Sequence, residues 1–180
     1  MARNTSYSSI AAGLGCFALL MAIATAQVSY NNDVRFWYPP TSSYCYVGTT
    51  PNGPLTCVGA SSVTQATVFY LTGWDPTIAS GAYAMSPTIP AILDGGSVSK
   101  WCWPKTYTGN ANNTIYCSGA TTTGWFQLLK VGGLADNYLW NLDSVVMHST
   151  LTNTNCSIAN NIINCDPSGS ASPAVFTIVI

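Results

Sequence analysis

Cysteine placement constrains this chain more than any other feature of its sequence. Of seven cysteines, Cys16 lies in an apolar N-terminal stretch, and the other six fall into local pairs: Cys45 with Cys57, Cys102 with Cys117 and Cys156 with Cys165. Each pair brackets a turn-rich stretch flanked by strand-like residues, the pattern of a hairpin stapled across its two arms. Other pairings are open in principle, but local context favours this one. Loops of this size contribute roughly 2–3 kcal/mol each in the chain-entropy account of disulfides. An even cysteine count used this way belongs to an oxidising compartment. Zinc would need thiolates or imidazoles at close spacing. The chain has no CxxC and a single histidine, so neither a metal nor another cofactor is expected.

Residues 1–26 read as a secretory signal peptide. Arg3 supplies a weak positive start, residues 10–24 an apolar stretch, and Ala24-Thr25-Ala26 a small-residue cleavage site. Cleavage there starts the mature chain at Gln27 and removes Cys16, predicting a secreted, extracellular product with no membrane attachment. A retained anchor is the alternative, although the apolar run is at the short end for a membrane span. Residues 27–180 then form a single domain. Asn112-Asn113-Thr114 and Asn155-Cys156-Ser157 are sequons, making Asn112 and Asn155 candidate glycosylation sites.

Only 6% of the residues are charged, about a quarter of the usual share. All six acids are aspartates. Clustered Lys and Arg, the footprint of a nucleic-acid partner, are absent. A chain 48% hydrophobic and 12% aromatic is too apolar for a solvated coil. The missing glutamate and scarce lysine argue against a helical bundle. Short apolar runs separated by turn signals predict an all-β, disulfide-stapled β-sandwich or barrel-like domain of short antiparallel strands. Three hairpin-plus-strand units can be traced, at about 41–71, 97–130 and 149–180, with first cysteines 57 and 54 residues apart. Residues 136–148 read equally as a helix, with Leu139, Leu142 and Val146 on one face, or as a strand.

Catalytic machinery is sparse. His148 and Asp143 could join a serine in a hydrolase, but no Gly-x-Ser-x-Gly elbow is present. Asp136, Asn137, Asn141 and Asp143 offer oxygen ligands for calcium within eight residues, at a spacing that fits no EF-hand loop. No catalytic or metal site is therefore assigned. Aromatic residues are the stronger lead. Trp101 and Trp103 flank Cys102, and Tyr44 and Tyr46 flank Cys45, so strand alternation turns them away from the disulfides. They are candidate contact aromatics for sugars or partner subunits. The C-terminal run, with Val175, Phe176, Ile178 and Ile180, is apolar on both faces. It is expected either to complete its own sheet or to be donated to a neighbour. The reading that follows is a secreted, non-catalytic structural subunit that self-associates through strand edges and aromatic patches into a fibre, wall or surface layer. A carbohydrate-binding module is the alternative, and a small hydrolase the minor one.

Overall fold

The computed structural model describes residues 26–48, 53–73, 81–86, 88, 91–95, 100–107, 110–117, 125–132, 136–168 and 171–180. All of the expected leader, residues 1–26, except Ala26 lies outside them. Thirteen strands are found among the described residues: β1 (Asp33–Tyr38), β2 (Ser43–Val47), β3 (Leu55–Ala60), β4 (Phe69–Gly73), β5 (Ala91–Gly95), β6 (Lys100–Tyr107), β7 (Asn110–Cys117), β8 (Phe126–Lys130), β9 (Ser144–Ser149), β10 (Thr154–Asn155), β11 (Ser157–Ala159), β12 (Ile162–Asn164) and β13 (Val175–Val179). No helix among the described residues is long and apolar enough to cross a membrane.

Six of these strands close on themselves. β1 pairs with β4, β4 with β5, β5 with β8, β8 with β9, β9 with β13, and β13 returns to β1, every pairing antiparallel. The all-β domain is thus the barrel-like form of the expected architecture, and closure removes the sheet edges that an open sandwich would leave. Alternation along the staves sends Val34 and Phe36, Phe69 and Leu71, Phe126 and Leu128, Val145 and Met147, and Phe176 and Ile178 into the interior, all with no exposed surface. The same Phe-x-Leu or Phe-x-Ile triplet recurs in β4, β8 and β13. Phe36 packs between two of these rings, with centroids 5.6 Å from Phe69 and 6.1 Å from Phe176.

Of the other seven, β10 pairs with β9, and β2–β3, β6–β7 and β11–β12 form three hairpins over one barrel mouth, each crossed by a disulfide: Cys45–Cys57, Cys102–Cys117 and Cys156–Cys165. All six sulfur-bearing residues are buried. A cyclic set of backbone bonds joins the hairpins. The amide of Cys57 donates to the carbonyl of Asn161, that of Cys117 to Gly53, and that of Cys165 to Asn113, at 3.0, 3.3 and 3.1 Å. Each acceptor sits four residues before the second cysteine of its own hairpin. Two residues before each of those cysteines, Leu55, Ile115 and Ile163 are fully buried beneath the cap. A Cβ on Gly53 would lie 2.6 Å from the carbonyl oxygen of Gly48, so this acceptor position requires glycine. This barrel with three capping hairpins is a trefoil arrangement.

At the opposite mouth another ring of backbone bonds forms without any covalent link. Val28 donates to Leu139, Leu139 to Ala84 and Ala84 to Val28, at 2.9, 2.9 and 2.8 Å, and all three residues are fully buried. The helix option for residues 136–148 is corrected here. Residues 136–143 form bridges and turns, Leu142 is exposed at φ 69°, and β9 begins at Ser144. The β-branched pair Val145-Val146 serves as a barrel stave between β8 and β13, and this pairing overrides the weak helical periodicity.

Candidate functional site

The cap carries a cleft of about 250 Å³ whose lining includes Tyr46, Gly59, Ala60 and Gln65. Its origin is a break in the β2–β3 ladder. Tyr44 opposes Ala60, but two residues later Tyr46 opposes Thr56, so β3 carries extra residues at this point. Gly59 sits in that irregularity at φ 83°, which a side-chain-bearing residue rarely adopts. Its amide leaves the ladder and donates to the hydroxyl of buried Ser43 at 3.1 Å. Nothing lies within 4 Å of where a Cβ on Gly59 would stand, so the backbone here is open to a ligand.

The far wall is held by a short 3₁₀ turn, Val63–Gln65. Ser62 caps it, its hydroxyl accepting from the amide of Thr64 at 3.2 Å, while the amide of Ser62 donates to Gln65 Oε1 at 3.1 Å. The Gln65 carbonyl oxygen is thereby fixed, and its Nε2 remains available to a ligand. Just beyond, Thr67 clamps the segment to β2: its amide donates to the carbonyl of Cys45, and its hydroxyl accepts from the amide of Val47. A half-buried phenol ring, a bare stretch of backbone and an oriented amide thus face one small space. The volume lies below the roughly 300–1,000 Å³ of pockets for drug-sized ligands, which suits a single ring-sized group.

The candidates read from sequence separate into distinct places. Tyr44 and Tyr46 are half-buried on the face of β2 opposite Cys45. Tyr44 is engaged by its cross-strand neighbour Trp37, with ring centroids 4.8 Å apart in an edge-on contact, while Tyr46 borders the cleft. Trp101 and Trp103 are half-buried on β6, where Trp103 opposes Tyr116. Asn112 lies on β7, and Asn155 is exposed on β10. β13 is paired along both of its edges within its own chain, to β1 and to β9, and Phe176 and Ile178 are fully buried. Of the two roles open to this strand, it takes the self-completing one in this structure. Its outer face is wetter than the sequence implied, with Val175 exposed and Thr177 and Val179 half-buried, while Ile180 packs against the core.

The pairings considered for chemistry are not brought together. Asp143 and His148 sit at opposite ends of β9, about 17 Å apart for five residues of extended chain. His148 Nδ1 is instead 2.9 Å from Asn155 Oδ1. Asp143 binds Lys130 Nζ at 2.9 Å and accepts from the backbone amide of Trp140 at 2.8 Å. Asp136 also faces Lys130, at 3.5 Å, and accepts from the Trp140 indole at 3.2 Å. Burial alone would weaken the Lys130 charge, but the hydrogen bond and charge of Asp143, joined by those of Asp136, outweigh it and hold the ammonium above its ordinary range. The carboxylates imagined around calcium are therefore occupied by an internal cation. Asn141, from the same set, accepts from the amide of Ile180 at 3.1 Å. Among the described residues no group of three or more His, Cys, Asp or Glu is placed to hold a metal.

Two features escaped the sequence reading. Gly59, near the end of β3, and Gln65, in the 3₁₀ turn, have no periodicity to single them out, and only the ladder break exposes them. Tyr83 and Tyr138 are both exposed at the barrel mouth opposite the cap, with ring centroids 6.3 Å apart, although they are 55 residues apart in sequence.

No protein-family model matches this chain, and no curated protein matches its sequence. Solved structures do share its fold. The SDF2-like protein of Arabidopsis thaliana superposes with a TM-score of 0.65 at 9% identity, over 86% of this chain and 95% of that one. The protein O-mannosyltransferase Pmt1–Pmt2 complex of S. cerevisiae, bound to the sugar donor, matches with a TM-score of 0.66 at 9% identity over 87% of this chain. That match spans only 26% of the transferase chain. At such identity the likeness is one of fold. Three disulfides in a domain of this kind indicate an oxidising, non-cytosolic compartment.

Proposed function

We propose that this chain is a secreted, non-catalytic carbohydrate-binding module whose site is the cap cleft beside Tyr46. The observation that carries the reading is the cleft's composition: one aromatic face, bare backbone at Gly59 and the oriented Gln65 amide. A sugar ring has an apolar C–H face that stacks on an aromatic ring and equatorial hydroxyls that seek fixed donors and acceptors. The site carries no charged lining residue among those described, which favours a neutral sugar over an acidic one. The fold is shared with part of a protein O-mannosyltransferase, which is consistent with service around glycans.

The test is calorimetric titration of the purified chain with neutral oligosaccharides. Tyr46→Ala and Gln65→Ala should each weaken binding at least tenfold and leave the thermal midpoint nearly unchanged. Absence of binding, or full binding by Tyr46→Ala, overturns the reading.

Self-association into an extracellular structure is the second reading. It draws support from Tyr83, Met85, Tyr138 and Leu142, which are exposed around the mouth opposite the cap. Strand donation would require β13 to exchange the β1 and β9 partners of its own chain for those of a neighbour. A chain that sediments as a monomer at high concentration excludes it.

A further inference from the structure

We propose that Asn155 is an N-glycan acceptor whose occupancy is decided by a race between glycan transfer and closure of the Cys156–Cys165 bridge. The central residue of its sequon is itself a disulfide cysteine. In the folded chain Cys156 is fully buried, its amide donates to Met147 at 2.8 Å, and its carbonyl accepts from Ala174 at 2.9 Å. Asn155 on one side is paired to His148 in β10, and Ser157 on the other is paired to Asn164 in β11. The tripeptide is therefore gripped at all three residues. A transferase that must draw the acceptor and its hydroxyl residue into its own site cannot do so once the bridge has closed.

The finished fold nonetheless accommodates the product. Asn155 is exposed, its Oδ1 faces the His148 ring, and its Nδ2 makes no hydrogen bond to any described residue. Transfer forms a bond from Nδ2 to the anomeric carbon of a lipid-diphosphate-linked oligosaccharide. The anomeric C–O bond breaks, the lipid diphosphate leaves with the electron pair, and one amide proton is released. The remaining N–H and Oδ1 stay as they were, so the contact with His148 survives. In the competing step two thiols lose two electrons and two protons to a disulfide oxidant, which becomes a dithiol. Cys156–Cys165 spans 9 residues, against 12 and 15 for the other bridges, so it has the smallest closure entropy to overcome. Asn112-Asn113-Thr114 contains no cysteine and serves as an internal comparator.

The experiment expresses the full chain in a eukaryotic secretory cell and measures occupancy at both sequons by glycosidase digestion and mass spectrometry. Wild-type material should carry Asn155 in both glycosylated and bare forms. Cys165→Ser should reduce the bare fraction several-fold, with occupancy at Asn112 unchanged. Because that variant could be retained, a pulse of membrane-permeant reductant on wild-type cells, read on newly made intracellular chains, should give the same shift. An Asn155 that stays bare under reduction overturns the proposal. So does an occupancy indifferent to both reductant and Cys165→Ser.

Discussion

The two mouths of the barrel are closed by the same device in different materials. At the cap, three backbone bonds run from one hairpin to the next, and each donor is a cysteine locked into a disulfide. At the base, three backbone bonds run from Val28 to Leu139 to Ala84 and back, and no covalent link supports them. What the hairpins bury is largely the disulfides themselves, with Leu55, Ile115 and Ile163 beside them. The base residues Val28, Ala84 and Leu139 are buried in the same apolar cluster as the barrel phenylalanines. The difference teaches where each mouth is vulnerable: the cap to reduction, the base to loss of apolar packing.

This contrast can be broken at the cap first. Replacing Cys102 and Cys117 together by serine should cost about 3 kcal/mol, the largest effect among the bridges because that loop is the longest, at 15 residues. Chemical denaturation would measure it. Amide exchange should then show faster opening of β6 and β7 while β9 and β13 remain protected; uniform loss of protection would mean the mouths are not separable. A smaller loss, about 2 kcal/mol, is expected from Val28→Ala, which removes buried methyl groups from the base while keeping its backbone bonds. Exchange should quicken at Ala84 and Leu139, and the cap amides of Cys57 and Cys117 should be unmoved.

The smallest effect is expected at Lys130, which braces the base segment by binding Asp143 and the carbonyl of Tyr138. Lys130→Met should cost about 1 kcal/mol near neutral pH. Because folding raises the Lys130 pKa above 10.5, its contribution is complete below that value and is lost as pH climbs through the higher, folded one. Unfolding curves of variant and wild type should therefore converge in strong alkali. A gap that persists there would assign the effect to packing of the lysine stem.

Much of the cap was legible from residue order. Cysteines on either side of turn residues imply hairpins, and aromatics beside a cysteine imply a face turned away from it. A tighter signature was also present in the chain: Gly53, Asn113 and Asn161 each stand two before a buried Leu or Ile and four before a cysteine. Asn113 and Asn161 have positive φ, at 27° and 65°, so turn chemistry and hairpin-to-hairpin bonding share one position. The candidate site was legible only in part. Tyr46 was marked by its neighbour Cys45, whereas Gly59 and Gln65 matter because of a register shift that no local pattern announces.

The sequence by itself determined the strand content, the local nature of the crosslinks and the oxidising setting, because alternation, turn residues and cysteine spacing act over a few residues. Tertiary structure decided that the staves close into a ring, that residues 136–148 yield turns and a strand in place of a helix, and that β13 lies between β1 and β9. Those outcomes depend on which strands meet across tens of residues and, where β1 meets β13, across 140 or more, as Phe36 meets Phe176. Burial of shared apolar surface selects such partners, and that surface exists only once the barrel has closed.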